Sequence, residues 1–264
     1  MPLITLLTDF GLKDGNVAAM KGVILNIAPG THLIDISHNI SPQNIPEAAL
    51  ILARTAPFFP SGTIHTVVVD PGVGTDRRPI GANLGDQFFI GPDNGVISML
   101  LKKIEELEQN IAFVHLNKPE FWLPQVSNVF HGRDIFAPCA AHLARGAGLE
   151  QLGETITDII RFALPEPELT NYGYQGEIIH LDHFGNISSN IRIEHLQGKK
   201  VSKVRICGKE INGMVRTFGE RNQGELVALC GSTGNLIVSV VNGSAARKLN
   251  AVVGDNVEVF INKD

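Results

Sequence analysis

The sequence predicts an α/β protein, with an N-terminal, mostly parallel α/β sandwich domain followed by a smaller C-terminal all-β barrel domain. Three observations carry that expectation. Strand-like and helix-like segments alternate through the first part of the chain, the order that builds parallel sheets covered on both faces. A proline- and glutamate-rich stretch, Leu164-Pro165-Glu166-Pro167-Glu168, then interrupts the pattern as a linker would. Beyond it the apolar segments shorten and are separated by Gly, Asn and Ser, as in a small antiparallel barrel.

Leu3 to Leu7 is a short apolar run that ends in Thr8-Asp9-Phe10-Gly11, a strand and its turn. Val17, Met20, Ile24 and Ile27 have helical spacing, and Pro29-Gly30 stops that helix after Ala28. His32 to Ile36 reads as a strand. Pro46 to Ala56 reads as a helix, with a proline near its start and Pro57 closing it. The β-branched run Ile64 to Val69 ends at Asp70-Pro71-Gly72. Phe88 to Gly91 is a strand, and Val96 to Leu107 and Ile135 to Arg145 are helices, the latter with Pro138 in its first turn and Gly146 past its end. In the second part the expected strands are Gly176 to Leu181, Lys203 to Ile206, Glu225 to Leu229, Asn235 to Val240 and Asn256 to Ile261. The expected domains are therefore 1–165 and 172–264.

Composition narrows the function. The chain has 264 residues, 44% apolar and 19% charged, with a net charge of −5. That balance argues against a nucleic-acid backbone as partner, which needs clustered Lys and Arg. Cys139, Cys207 and Cys230 are odd in number and form no CxxC, so neither a zinc site nor a disulfide framework is expected. No histidine pair has HxH or HxxxH spacing, so no metal is expected either. The start of the chain runs at once into Thr8-Asp9, leaving no room for an apolar leader, and no apolar run approaches the roughly 20 residues that cross a membrane. A cytoplasmic protein is the expectation.

Ligands of open α/β sheets bind outside the carboxyl ends of the strands, and three polar clusters fall there. In Thr8-Asp9-Phe10-Gly11, Asp9 can accept two hydrogen bonds from a ribose diol, or act only as a cap or turn residue. The Asp-Phe-Gly string lacks the surrounding kinase motifs and is a chance match. In Asp70-Pro71-Gly72-Val73-Gly74-Thr75-Asp76-Arg77-Arg78, Asp70 and Arg77 can meet across the turn, as a functional or a structural ion pair. The glycines there match neither a dinucleotide fingerprint nor a phosphate-binding loop. In Phe130-His131-Gly132-Arg133-Asp134, His131 is the best candidate for handling protons, while Arg133 and Asp134 read as a local pair or cap. In the second part, Asp182-His183-Phe184-Gly185-Asn186 offers Phe184 for stacking and Asn186 for reading a base edge. Ser232-Thr233-Gly234-Asn235 suits contacts to a zwitterion. Each of these two also reads as a hairpin turn.

Taken in order, TDFG, VDPGVGTDRR, GPDNG, FHGRD, DHFGN and GSTGN resemble the S-adenosyl-L-methionine hydroxide adenosyltransferase family, and the match spans nearly the whole chain. The sequence is also similar to fluorinases and chlorinases. The resemblance implies that Asp70, Arg77 and His131 are catalytic and that Asp9 binds ribose. It implies that Phe184 and Asn186 face adenine, that Asp182 and Ser232 hold the methionine part, and that Asn94 lies near the ligand. It further implies hydrolysis of S-adenosyl-L-methionine to adenosine and L-methionine with no cofactor. The implied assembly is a homotrimer whose sites lie between the N-domain of one subunit and the C-domain of the next. Fluorinases carry Tyr at the position of Asp70 and Ser at that of Gly132, and have an extra loop between the positions of Ile80 and Phe88; the chlorinase lacks the Asp–Arg–His set. This chain therefore falls on the water-using side. A binding protein without turnover and a halide-dependent transferase are the competing expectations.

Overall fold

The computed structural model describes residues 1–163, 165–196 and 198–262. Leu164, which opens the expected linker, lies outside the described residues. The chain divides into two compact units, 1–162 and 163–264.

The first unit is a seven-stranded sheet between helices. Its elements are β1 (Leu3–Thr8), α1 (Asn16–Ile27), β2 (His32–Ser37), α2 (Ile45–Thr55), β3 (Ile64–Val68), β4 (Pro79–Leu84), β5 (Gln87–Pro92), α3 (Ser98–Glu106), β6 (Ile111–His115), α4 (Ala137–Ala144) and β7 (Glu154–Ile156). The strand order is β2-β1-β3-β5-β4-β6-β7. The ladders β1/β2, β1/β3 and β3/β5 are parallel, and β4/β5, β4/β6 and β6/β7 are antiparallel. The parallel half is the part the alternating pattern predicts. The antiparallel half arises because β4 and β5 form a tight hairpin around Gly85, which needs no crossover helix.

Period-two alternation along β1 sends Ile4 and Leu6 to one face and Leu7 to the other. The first face packs against Met20 and Ile24 of α1 and Cys139 and Ala140 of α4; the second packs against Ala48 and Leu52 of α2 and Leu100 and Leu101 of α3. Each large apolar side chain buried here stabilises the unit by about 1.5–3 kcal/mol, so the strand ends that carry polar residues stand on a stiff base. α2 is capped by Asn44, whose side chain accepts from the Glu47 N–H, and Pro46 occupies its first turn.

The second unit is an antiparallel barrel-like sheet. Its strands are β8 (Glu168–Leu169), β9 (Gly173–Leu181), β10 (Ile187–Arg192), β11 (Val201–Ile206), β12 (Lys209–Asn212), β13 (Leu226–Cys230), β14 (Asn235–Val240) and β15 (Asn256–Ile261), with short helices α5 (Ile193–Leu196) and α6 (Ala245–Leu249). The order is β12-β11-β15-β9-β10-β14-β13, and β8 pairs with β9. The N–H of Val215, just past β12, donates to the carbonyl of Ala228 in β13 at 2.9 Å, drawing the two ends of the sheet together. That contact shields the edges that an open sheet would leave exposed. Among the described residues no helix is long and apolar enough to cross a membrane.

Candidate active site

The ends of β1 and β3 and the entrance to α4 converge on a cleft of about 270 Å³, lined by Asp9, Phe10, Gln43, Asp70, Val129 and His131 among others. Asp70 stands just past β3. The turn after it is held by Val73 N–H donating to Asp70 O (3.2 Å) and by Thr75, whose N–H and hydroxyl both donate to Gly72 O. Gly74 has φ +77°, and a Cβ there would strike the carbonyl oxygen of Asn128, so this turn can lie against the 123–130 segment only with glycine. The turn swings Arg77 back over Asp70. Arg77 Nε donates to Asp70 Oδ1 at 3.0 Å and Nη2 to Asp70 Oδ2 at 2.5 Å, a bidentate pair in which both side chains are nearly buried.

His131 reaches the same point from the other side. It precedes a π-helical turn, Gly132–Phe136, that leads into α4 in place of the regular helix start expected at Ile135. Such turns recur at functional sites because they re-aim neighbouring side chains. Asp134, fully buried, holds the segment: its carboxylate accepts from Arg133 Nε (2.6 Å) and Ser127 N (2.8 Å), and its carbonyl from Leu123 N (2.9 Å). Arg77 Nη2 lies 3.1 Å from His131 Nδ1, and the guanidinium rests 5.4 Å above the Phe136 ring. Since guanidinium only donates, Nδ1 is an acceptor here, and the neutral ring carries its hydrogen on Nε2.

The set has an electrostatic signature. Burial pushes the Asp70 carboxyl above its usual range, against the pull of Arg77 and His131. Burial and the Arg77 charge hold the His131 imidazole below its usual value. The carboxylate is thus a stronger base than a surface aspartate, and the ring is neutral at neutral pH.

Asp9 follows β1 and lines the cleft; its Oδ2 accepts from Gln43 N at 2.7 Å. Phe10 and Phe130 meet edge to face at 5.6 Å. Asn94 does not line this cleft. Its Nδ2 donates to Val69 O (2.9 Å) and its Oδ1 accepts from Val96 N (3.2 Å), so it fixes the backbone that leads into Asp70. Gln43 and Asn128 were not singled out in the sequence. Gln43 holds a left-handed backbone, φ +64°, on a turn of Ser, Pro, Gln and Asn, a composition that signals a turn but not its contact with Asp9.

In the second unit, Asp182, Phe184 and Asn186 share the β9–β10 turn. Asp182 Oδ1 accepts from the N–H groups of Phe184 (2.9 Å) and Asn186 (2.8 Å), and its Oδ2 from Asn186 Nδ2 (2.7 Å). These bonds thrust the Phe184 ring outward, 74% exposed. Ser232 sits on the β13–β14 turn. That turn abuts Ile193, while the register pairs Ile187 with Val238, so Ser232 and the Asp182 turn flank opposite ends of β10. Among the described residues no group of three or more His, Cys, Asp or Glu side chains is placed to hold a metal ion.

A strand-end cleft bearing a buried carboxylate–guanidinium pair and a half-buried imidazole, in an α/β unit joined to an antiparallel barrel, defines a two-domain α/β enzyme. Family models described as the SAM hydroxide adenosyltransferase N-terminal and C-terminal domains match residues 4–153 and 176–258. The chain belongs to that family. It is 38% identical over 263 residues to the (R)-S-adenosyl-L-methionine hydrolase of Salinispora tropica, with 98% of this chain and 97% of that protein covered. A fluorinase of Nocardia brasiliensis is more distant, 28% identical over 298 residues, with 98% and 97% covered. The crystal structure of an uncharacterized conserved protein from Thermotoga maritima superposes with a TM-score of 0.89 at 36% identity, covering 97% of this chain and 99% of that one.

Proposed function

We propose that this enzyme hydrolyses S-adenosyl-L-methionine to adenosine and L-methionine, with water attacking C5′ of the ribose. The convergence of Asp70, Arg77 and His131 beside Asp9 is the observation that carries the reading. Methionine leaves as a neutral thioether, so the leaving group needs no proton, and the work falls on the nucleophile. Asp70 is the proton acceptor. Arg77 fills one edge of the carboxylate, and burial raises the basicity of the lone pairs that remain. His131, its Nδ1 engaged by Arg77, offers Nε2–H to the water oxygen and orients it. The C5′–O bond forms as the C5′–S bond breaks, and the water proton passes to Asp70. A base placed in this way contributes about 10²–10⁴-fold, and orientation adds to it.

Asp9 takes the ribose hydroxyls on the carboxylate edge opposite Gln43. A cleft of about 270 Å³ falls just short of the usual range of roughly 300–1,000 Å³ for ligand sites. The rest of the ligand is held by the second unit of a neighbouring subunit in a trimer, with Phe184 stacking on adenine and Asn186 reading its edge. Asp182 and Ser232 take the methionine part, an assignment carried by the family resemblance. The domains act as 1–165 and 172–264, in the cytoplasm. The test is incubation with S-adenosyl-L-methionine in oxygen-18 water. Label in the adenosine 5′-hydroxyl is expected; intact ligand would make the protein a binder, and a halogenated nucleoside on adding chloride or fluoride would make it a halide transferase.

A further inference from the structure

β1 carries two threonine–histidine pairs. Thr5 Oγ1 meets His65 Nδ1 at 2.8 Å in mid-sheet, and Thr8 Oγ1 meets His38 Nδ1 at 2.9 Å where the strand ends. All four side chains are buried. The mechanism uses neither histidine, but their surroundings differ. His65 is enclosed by core, its Nε2 facing Gln87 Oε1 at 3.2 Å. His38 stands beside the turn that carries Asp9.

Three contacts tie the loop after β2 onto that turn, and His38 makes two of them. Its side chain holds Thr8, immediately before Asp9, and its carbonyl accepts from Gly11 N at 2.7 Å, two residues after Asp9. The third is Gln43 N on Asp9 itself. The polarity of the chain is consistent throughout. Asp35 Oδ1 lies 3.0 Å from His38 Nε2 and favours hydrogen on that nitrogen, which in the neutral ring leaves Nδ1 an acceptor. The Thr8 hydroxyl then donates to Nδ1, and its oxygen accepts from Phe10 N at 3.2 Å. Asp35 is held in turn by Lys21 Nζ at 2.6 Å.

We infer that His38 is a positioning residue for substrate binding: it clamps the turn on both sides of Asp9 and so sets the direction in which that carboxylate meets the ribose diol. The inference rests on the assignment of Asp9 to ribose. It sets His38 apart from His65, whose side-chain hydrogen bonds are internal to the sheet.

The test compares His38→Gln, Thr8→Val and His65→Gln in the full-length protein, each alone and the first two also combined with Asp9→Asn, measuring KM and kcat for S-adenosyl-L-methionine. His38→Gln and Thr8→Val each raise KM about tenfold, the size of one lost hydrogen bond to the site, with kcat changed less. Neither raises KM further once Asp9 is already Asn. His65→Gln lowers melting temperature and leaves KM alone. Thr8→Val deletes only the hydroxyl and reads the clamp even where His38→Gln fails to fold. Unchanged KM in Thr8→Val, or an effect that adds in full to that of Asp9→Asn, overturns the inference while Asp9 keeps its role. Unchanged KM in Asp9→Asn itself overturns the ribose assignment and the inference with it.

Discussion

Replacing Arg77 by Met is the sharpest perturbation of the site. Methionine keeps much of the aliphatic stem but removes the guanidinium that lies over Phe136, both bonds to Asp70 and the contact to His131. The two members of the pair are only 6% and 4% exposed, so solvent screens little of their attraction. Removing one partner of a buried pair costs about 3–5 kcal/mol, because the other charge is left uncompensated. For a unit of this size that lowers the melting temperature by roughly 6–20 °C. The deficit depends on pH. Burial already raises the Asp70 carboxyl, and without the guanidinium it rises further. A raised carboxyl contributes stability below its unfolded value and loses it as pH climbs through the folded one. The variant's deficit is therefore larger at about pH 8 than at about pH 5, since falling pH favours the neutral carboxyl. Turnover at neutral pH falls at least about 100-fold, since Asp70 and His131 both lose their alignment. Calorimetry at the two pH values and chromatography of released adenosine read these effects. Equal deficits at both pH values, or turnover within about threefold of the parent, would refute the reasoning.

Phe184→Ala raises KM with no change in melting temperature, because the ring is mostly exposed on its turn; calorimetry and initial rates separate the two. The acid limb of kcat/KM for the parent enzyme lies above the ordinary aspartate value, about 3.9, because burial shifts Asp70 up. His65 is buried, with its pKa pushed down to about 4 mainly by desolvation. The unfolded chain takes up that proton first, so stability complete above about pH 6.5 falls by roughly 3 kcal/mol by about pH 4. His65→Gln, less stable at neutral pH, loses less over the same interval in denaturant titrations.

The parallel half of the first sheet was legible because each strand is a short apolar run closed by a turn. β4 was not, since Pro79, Gly81 and Asn83 read as loop. Pro79 is tolerated as the first residue of its strand, where it gives up no essential donor, and Gly81 is small because Leu149, Ile90 and Leu116 crowd its position. β10 was hidden by Ser188, Ser189 and Asn190, all buried yet polar. Ser189 donates to Leu236 O, and the Asn190 amide bridges Glu177 N and Pro165 O, so hydrogen bonds stand in for the apolar pattern. Asp70, Arg77 and His131 could be named from strand ends and residue chemistry. The tautomer of His131, the fastening of Asn94 and the clamp by His38 could not, because each depends on a side chain meeting backbone or ring from a different element.

The contacts of Arg77 also differ in how far along the chain they reach. Seven positions separate Arg77 from Asp70, but 54 separate it from His131. Closing the longer loop costs about 2 kcal/mol more in chain entropy than closing the shorter. The ion pair is thus within local reach as soon as its turn forms, while the imidazole must be brought in across the hairpin, α3 and β6. Recovery of turnover after dilution from denaturant therefore cannot precede the docking of the 123–136 segment beside the Asp70 turn.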